Sequence, residues 1–537
     1  MAIISTVFSA FLTLAPPPDT ATWMVEGEQA LGEYGKSVCT AGDVNGDGFD
    51  DVLVGMHYFS GPEYREGKVF LYYGGPSGPS ATADWSWESN SANATLGISV
   101  STAGDVNADG YDDILLGAHT YSGVVPNEGA AFIFLGSATG PGSSPDWAAY
   151  GGQSGGDFGG TVSDAGDINN DGYDDITIGA VFYTNGEMGE GRAYVYYGQA
   201  DGVGDTPWIA EINQAGAQFG GHVSGAGDID NDGFDDLIIG ARKYAGGSAG
   251  EGAIYVFYGG GGGLGASYDW MFESNSTQAK LGQSVSGAGD INGDGFADII
   301  AGAHNYSSPE TDEGRIYVFY GGAAGLPGSP SFTFETNLGN ALLGNQVSDA
   351  GDVNDDGFDD IIAGSREYSN GEASEGRAYI FYGSATGLSA ADFWTAESNQ
   401  VEAFFGYSVH SAGDVNNDGA DDVIIGAKYW DGGEIDEGAA FFYPGIPVVY
   451  PCTAPENLEL LDVTSSSATM SWDGPISASG YKIIAKKSGS PALVYTSTST
   501  TFTLTGLTGA SNYRISILAK CTGEFSPRSA PFFLVTD

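Results

Sequence analysis

The chain has 537 residues, with 70 Asp and Glu against 17 Lys and Arg and a formal net charge of −53. So acidic a chain lacks the basic surface that nucleic acid or anionic lipid demands, while 41% hydrophobic and 12% aromatic residues exclude a disordered acidic tail. The 87 glycines follow no collagen triplet and mark turns in a β-rich fold, and three cysteines are too few for a disulfide scaffold.

The chain opens on an apolar run, residues 2–15, followed by Pro16-Pro17-Pro18. The run is too short to span a bilayer and suits the apolar region of a secretory signal. Residues 1–18 are therefore read as a signal peptide or N-terminal segment, and the mature chain as secreted or associated with the cell surface, with no transmembrane segment.

Internal repetition dominates the chain from there to Gly445. The string A-G-D-[VI]-[ND]-x-D-G occurs seven times, its first Asp at Asp43, Asp105, Asp167, Asp228, Asp290, Asp352 and Asp414. The intervals are 61 or 62 residues, so one unit is copied with almost no insertion. Each unit holds an aromatic segment such as Asp269-Trp270, then an aromatic or Leu before Gly, as in Phe158-Gly159 or Leu281-Gly282. A short strand leads into the Asp loop, and a second, Asp236-Leu237-Ile238-Ile239-Gly240-Ala241, leads out of it. A polar loop ending in Glu-Gly precedes an alternating third strand, Ala253 to Tyr258. Four short strands per repeat with turn residues between them make a propeller blade. Thr22-Trp23-Met24-Val25 matches the Trp segments of the later units, and no such segment follows Tyr443-Pro444-Gly445. The N-terminal strand is thus expected to complete the last blade and close the ring, which leaves no long unpaired edge. The expectation is an all-β chain: a seven-bladed propeller over 19–446, a linker at 447–455 and a β-sandwich over 456–537.

The loops read D-x-[DN]-x-D-G-x-x-D. The candidate metal ligands are Asp43, Asn45, Asp47 and Asp51 in the first, then Asp105, Asn107, Asp109 and Asp113, and Asp167, Asn169, Asp171 and Asp175. The fourth has Asp228, Asp230, Asp232 and Asp236, and the fifth Asp290, Asn292, Asp294 and Asp298. The last two have Asp352, Asn354, Asp356 and Asp360, then Asp414, Asn416, Asp418 and Asp422. Alternate spacing in a tight turn brings oxygens 1, 3 and 5 to one side, with Gly at position 6 permitting the turn. The carbonyl at position 7 (Phe49 in the first loop) and the Asp at position 9 complete the shell. An all-oxygen set without His or Cys selects Ca²⁺, about seven per chain, over Zn²⁺ or Mg²⁺. Helix–loop–helix calcium motifs need a Glu at position 12; here Val54, Leu116 and Ile178 stand there, inside an apolar strand.

The opposite end of each blade carries two columns. Fourteen residues after each first Asp stand His57, His119, Val181, Arg242, His304, Arg366 and Lys428. Two further on stand Phe59, Tyr121, Tyr183, Tyr244, Tyr306, Tyr368 and Trp430, and Lys68, Arg192, Arg315 and Arg377 come directly after Glu-Gly. The face is read either as a ligand surface with aromatic platforms, or as structure. In the second case the aromatics pack between blades and the cations pair with Glu66, Glu128, Glu190, Glu251, Glu313, Glu375 and Glu437. Repetition in every blade favours structure, because a site for one ligand normally breaks symmetry.

The Phe158-Gly159 and Gly240-Ala241 types of pair, with the Asp loop between them, resemble FG-GAP repeats, the blades of the integrin α-subunit propeller. The resemblance covers about residues 20–446. It implies a calcium face turned away from the ligand and a ligand on the opposite face. GPI-specific phospholipase D shares such repeats, but the resemblance to it stops at the propeller. After Gly445, Ala468-Thr469-Met470-Ser471-Trp472, Tyr481-Lys482-Ile483-Ile484, Leu504-Thr505-Gly506-Leu507 and Tyr513 resemble a fibronectin type III domain. There Trp472 would sit in the core and Leu507 with Tyr513 would form a turn. Cys452 and Cys521 lie at its two ends and can pair in an oxidising compartment, leaving Cys39 unpaired in the first blade. No phosphate loop, G-x-S-x-G or H-E-x-x-H appears. The expected function is a non-enzymatic, calcium-binding adhesion or ligand-binding protein with an extracellular protein or glycan partner. The alternatives are a glycan-binding accessory module of a secreted degradative system, or a hydrolase with an unrecognised site.

Overall fold

The second strand of every repeat, Asp51–Met56 in the first and Asp236–Ala241 in the fourth, is buried along its whole length. Full burial of an apolar run requires cover on both faces, and the blades supply it. The computed structural model describes residues 18, 20–447, 454–475, 478–487, 492–521, 524–526, 528–530 and 532–536. Among these, every regular element is a strand, and no helix is long and apolar enough to cross a membrane. The N-terminal segment and most of the linker lie outside the described residues. The chain divides into two compact units, up to Pro447 and from Val448.

The first unit is a β-propeller of seven four-stranded antiparallel sheets. In the first blade the strands run outward as Tyr34–Gly42, Asp51–Met56, Lys68–Tyr72 and Trp85–Glu88. The seventh takes three strands from Phe405–Gly413, Asp422–Ala427 and Ala439–Tyr443, and its fourth from Trp23–Glu26. That N-terminal strand pairs Trp23 with Phe442 and Glu26 with Ala439. The two ends of the unit thus share one sheet, as the Trp23 segment suggests.

Apolar cores lie between blades. Ile238, Ile254 and Val256 of the fourth blade pack against Val285, Ile299 and Phe319 of the fifth. Val52 and Val54 of the first pack against Ile424, Ala440 and Phe442 of the seventh, so the ring closes. The Glu-Gly glycine of each blade bridges the aromatic or Leu of the next: Gly67 to Leu96, Gly252 to Leu281, and finally Gly438 to Tyr34. Beside each bridge two glycine backbones meet. A Cβ on Gly55, Gly117, Gly179, Gly240, Gly302, Gly364 or Gly426 would collide with the carbonyl oxygen of Gly97, Gly159, Gly220, Gly282, Gly344, Gly406 or Gly35. These are the two glycines that recur in the repeat.

The second unit has a sheet of Glu456–Val463, Ser467–Asp473 and Thr501–Thr505. Its other sheet is built on Leu493–Ser497, Gly480–Lys487 and Asn512–Cys521, with Phe532–Val535 beside the last. Trp472 is buried and meets Tyr481 edge-on at 5.2 Å. The Thr508 N–H donates to the Tyr513 hydroxyl at 2.9 Å, which fixes the turn expected of Leu507 and Tyr513. Cys521 is disulfide-bonded and Cys39 is free and buried; Cys452 lies outside the described residues.

Gly364→Ala is expected to lower stability by about 1–3 kcal/mol through overpacking at a blade boundary. Gly247→Ala, whose added Cβ meets nothing, is expected to change it by less than about 0.5 kcal/mol. Denaturant melts of the two variants check the pair.

Candidate metal loops and the channel mouth

Each Asp loop is first a hydrogen-bonded turn. In the first, the Asp47 N–H donates to Asp43 Oδ1 at 3.0 Å and the Gly48 N–H to Asp43 Oδ2 at 2.8 Å. The Phe49 N–H donates to Asp47 Oδ1 at 3.1 Å. The same three bonds recur in the six other loops, from Asp105 and Asp109 to Asp414 and Asp418. Positions 1 and 5 therefore share one rim.

Position 3 differs. Asn169 Oδ1, Asp230 Oδ1 and Asn354 Oδ1 are buried with no hydrogen-bond donor. A buried acceptor left unpaired costs about 1–3 kcal/mol, and a cation in the loop would satisfy it. Asn107 Oδ1 instead accepts from the Asp109 N–H at 2.9 Å. Three carboxylates come within metal-ligand reach of one another only at Asp228, Asp230 and Asp232, among the described residues. The other six loops carry a neutral Asn at position 3.

The ninth-position Asp is held by the fold. Asp51, Asp113, Asp175, Asp236, Asp298, Asp360 and Asp422 are buried. Each accepts from two backbone N–H groups: Asp51 Oδ2 from Val44 and Oδ1 from Gly74, which opens the segment after the third strand. The pattern repeats to Asp422, with Val415 and Gly445. Burial pushes the carboxyls of Asp51, Asp175 and Asp422 up to about 8 and those of Asp113, Asp236 and Asp298 up to about 7. Backbone N–H donors oppose the rise, and neighbouring loop carboxylates add to it. An all-oxygen donor set, orphaned acceptors and carboxyls strained by burial and by one another fit a hard cation.

A further acidic column, outside the set of candidate ligands, ties blade to blade. At position 8, Asp112 Oδ2 accepts from the Asp43 N–H of the preceding blade at 2.7 Å, while the Asp112 N–H donates to the Asp43 carbonyl at 3.3 Å. Asp174, Asp235, Asp359, Asp421 and Asp50 repeat the clasp, the last onto Asp414, across the seam of the ring. Ala297 breaks the series: at that boundary only the Ala297 N–H to Asp228 carbonyl bond remains. The sequence signal for the clasp is the doubled Asp that ends six of the seven loops.

At the other end the structure reassigns the two columns. Lys68, Arg315 and Arg377 pair with Glu88, Glu335 and Glu397 on the neighbouring outer strand, and Arg192 with Glu211 directly after it, not with the Glu66 column. The Glu66 column is spent on loops: the Gly61 N–H donates to Glu66 Oε1 at 2.8 Å, and the Gly432 and Gly433 N–H groups to Glu437 Oε1. The aromatic column lies under the same cations, with Arg192 3.7 Å over Tyr183, Arg315 3.9 Å over Tyr306 and Arg377 3.9 Å over Tyr368. These rings are structural in the blades that carry an Arg.

His119, Val181, Arg242 and Arg366 of the His57 column and the residues after each aromatic-Gly pair instead surround the mouth of the central channel, where Lys36, Arg242, Arg366, Tyr407 and His222 line a cavity of about 310 Å³. Lys36, Lys428 and Arg366 hold the Tyr407 phenol down to about 8 against the opposing effect of burial.

Asp112→Ala removes a clasp and leaves the Asp43 N–H unpartnered. It is expected to cost about 1–3 kcal/mol in denaturant melts, with Asp112→Asn, which keeps an acceptor oxygen, costing less. An ultraviolet titration is expected to show one tyrosine ionising near pH 8 and to lose that step in Tyr407→Phe. Because this folded-state value lies below the unfolded value of about 10, the ionised phenol adds stability as pH rises through that window, and the gain is lost as pH falls below 8.

Comparison with known proteins agrees with the geometry. A family model described as "FG-GAP repeat" matches residues 34–72, 96–134, 219–257, 281–319, 345–381 and 405–441, and one described as "Fibronectin type III domain" matches 453–535. The remaining blade, with strands Phe158–Gly166, Asp175–Ala180 and Arg192–Tyr196, keeps the same loop bonds and clasps. Among relatives, integrin alpha-5 of Xenopus laevis is 34% identical over 171 residues, 30% of this chain and 16% of that protein. Integrin alpha pat-2 of Caenorhabditis briggsae is 31% identical over 222 residues, 38% of this chain and 17% of that protein. The phosphatidylinositol-glycan-specific phospholipase D of Mus musculus is 32% identical over 176 residues, 31% of this chain and 20% of that protein. The chain thus spans a fifth or less of the length of these relatives. With its loops, paired glycines and sandwich core in place, the chain carries FG-GAP repeats in its propeller and a fibronectin type III domain after it, and its propeller is similar in sequence to integrin alpha subunits.

Proposed function

We propose that the chain is a non-enzymatic, calcium-stabilised binding or adhesion protein, secreted or held at a cell surface. The division is a propeller over 19–446, a linker at 447–455 and a type III module over 456–537. The observation that carries the calcium reading is the set of buried position-3 oxygens without a donor, Asn169, Asp230 and Asn354. In the first loop Asp43, Asn45, Asp47 and Asp51 would hold the ion with the Phe49 carbonyl, and the other six loops would use their equivalents. The ion supplies charge neutralisation. It offsets the mutual repulsion of carboxylates that the fold has already oriented through the Asp43-type turns and Asp51-type latches. Its role is structural, and the partner, an extracellular protein or glycan, meets the opposite face. The disulfide at Cys521 supports an oxidising, extracellular setting, and the integrin alpha relatives support an adhesive role.

A second reading, a glycan-binding module of a degradative system, is favoured by the phospholipase D relative. Selective binding on a glycan array would favour it.

Thermal unfolding in EDTA and in millimolar Ca²⁺, with a count of bound metal, tests the main reading. The expected result is one Ca²⁺ per loop and a midpoint several degrees higher with the ion, as mass action requires. No bound metal and coincident melts would overturn it.

A further inference from the structure

The channel mouth gathers cations on this acidic propeller, and it is not symmetric. The residue after each aromatic-Gly pair runs Lys36, Ile98, Gly160, Gly221, Gln283, Asn345 and Tyr407 around the ring. Together with the His57 column this divides the mouth into two arcs. Lys36, Tyr407 and Arg366 fill one arc, with Lys428 against the Tyr407 ring, and Gly160, Gly221 and Val181 leave space in the other.

The cations converge on one ring. Lys36 Nζ lies 4.7 Å, Lys428 Nζ 4.4 Å and the Arg366 guanidinium 5.7 Å from the Tyr407 centroid. Arg242 approaches from the far side, where its Nε donates to Gln218 Oε1 and its guanidinium faces Asp157. Lys280 is not among the residues that line the cavity; burial, Arg242, Lys243 and Arg366 push its ammonium down, and Asp312 opposes them.

Carboxylates balance this group only in part: Asp157 lines the cavity and faces Arg242. Lys428 pairs with Glu33 at 3.2 Å. Arg366 Nε reaches Glu367 only at 3.6 Å and is buried with no hydrogen-bond acceptor. Among the described residues Lys36 and Lys280 form no ion pair with a carboxylate. Partly desolvated cations without counter-charges are costly, and an anion that enters relieves them.

We propose that this mouth is a binding site for a carboxylate, carried on a small acid or on an acidic side chain. The planar Arg366 guanidinium, the Lys36 ammonium and the Tyr407 hydroxyl are suitable donors. A cavity of about 310 Å³ admits one small group. An extended polyanion would lie over a propeller of large negative charge and be repelled outside the mouth. The site gives the proposed ligand face its recognition chemistry and rests on that reading, yet the two fail separately.

The test is calorimetric titration of the full calcium-loaded chain at fixed ionic strength. The probes are acetate and glutarate as free acids, a blocked Gly-Glu-Gly peptide as a side chain, and inorganic phosphate. Saturable binding of glutarate is expected, weakened about tenfold or more by Lys36→Gln and by Arg366→Gln and unchanged by Lys486→Gln in the second unit. Binding of the free acids alone, or of the peptide as well, tells which source the mouth accepts. The unsubstituted chain gives an arm free of folding defects: glutarate should slow acetylation of Lys36, which lines the cavity, selectively, as read by mass spectrometry. Unsaturable heats, equal weakening by Lys486→Gln, tighter binding of phosphate, or protection spread over all lysines would each overturn the site. A chain that still takes up Ca²⁺ and binds a partner while ignoring glutarate would sink this inference and leave the ligand-face reading standing.

Discussion

Blade meets blade through two glycine backbones with no room for a Cβ, seven times around the ring. That constraint sets much of the rest. Close backbone approach brings the Glu-Gly glycine within bridging distance of the next blade, and it lets the second strands lie between two apolar faces with no solvent beside them. Without it the interblade cores would be wedged open, and a strand such as Asp236–Ala241 would expose the face that makes it a strand. The last contact, Gly426 on Gly35, joins residues from opposite ends of the propeller. Closure therefore depends on the N-terminal strand reaching Ala439–Tyr443.

The acidic face divides its work. Position 8 clasps the preceding blade, position 9 latches the segment after the third strand, and positions 1 and 5 shape the turn. Of the ligand positions in the described loops, position 3 is the one that keeps buried oxygens no protein group satisfies. Much of the negative charge is thus spent on holding backbone N–H groups, which a carboxylate does more strongly than a neutral acceptor. The cost is repulsion and desolvation, visible in the raised carboxyls of Asp51 and its equivalents. Folding scaffold and proposed cation site are therefore one object: the bonds that order the loop also assemble the charges that need neutralising.

The repeat makes most of the propeller legible. A fixed period, a turn-forming Asp loop and an apolar run ending in Gly-Ala specify a blade locally, and the Trp23 segment announces closure because it matches units far along the chain. The partnerships that stay hidden are those made across boundaries. The clasp from Asp112 reaches back 69 residues to Asp43, and nothing local distinguishes it from one more ligand. Lys68 could have faced Glu66 beside it in sequence. Strand register instead sets Lys68 opposite Glu88, because Lys68 and Glu88 are directly paired across the third and fourth strands. Likewise the channel mouth combines residues from the first, fourth, sixth and seventh blades, a grouping that columns of equivalent positions conceal.

In a ring of near-identical parts, departures from the pattern carry the most information. The fourth loop is the one with a carboxylate, Asp230, at position 3, and the next blade is the one whose clasp position is Ala297. At the other six boundaries positions 1, 5 and 9 of the loop and the incoming clasp bring four carboxylates together, the first Asp included. At this one, positions 1, 3, 5 and 9 supply the same four without a clasp. The total is kept while one charge moves from the boundary into the loop, as expected where crowded carboxylates limit how much negative charge a site tolerates. That exchange weakens one seam and strengthens one loop. The cationic arc at the mouth has no such counterweight: Lys36 and Tyr407 stand where other blades carry Ile98, Gly160, Gly221, Gln283 and Asn345, and among the described residues no carboxylate forms an ion pair with Lys36. A compensated departure preserves the fold, whereas the uncompensated one is where the proposed carboxylate would supply the missing charge.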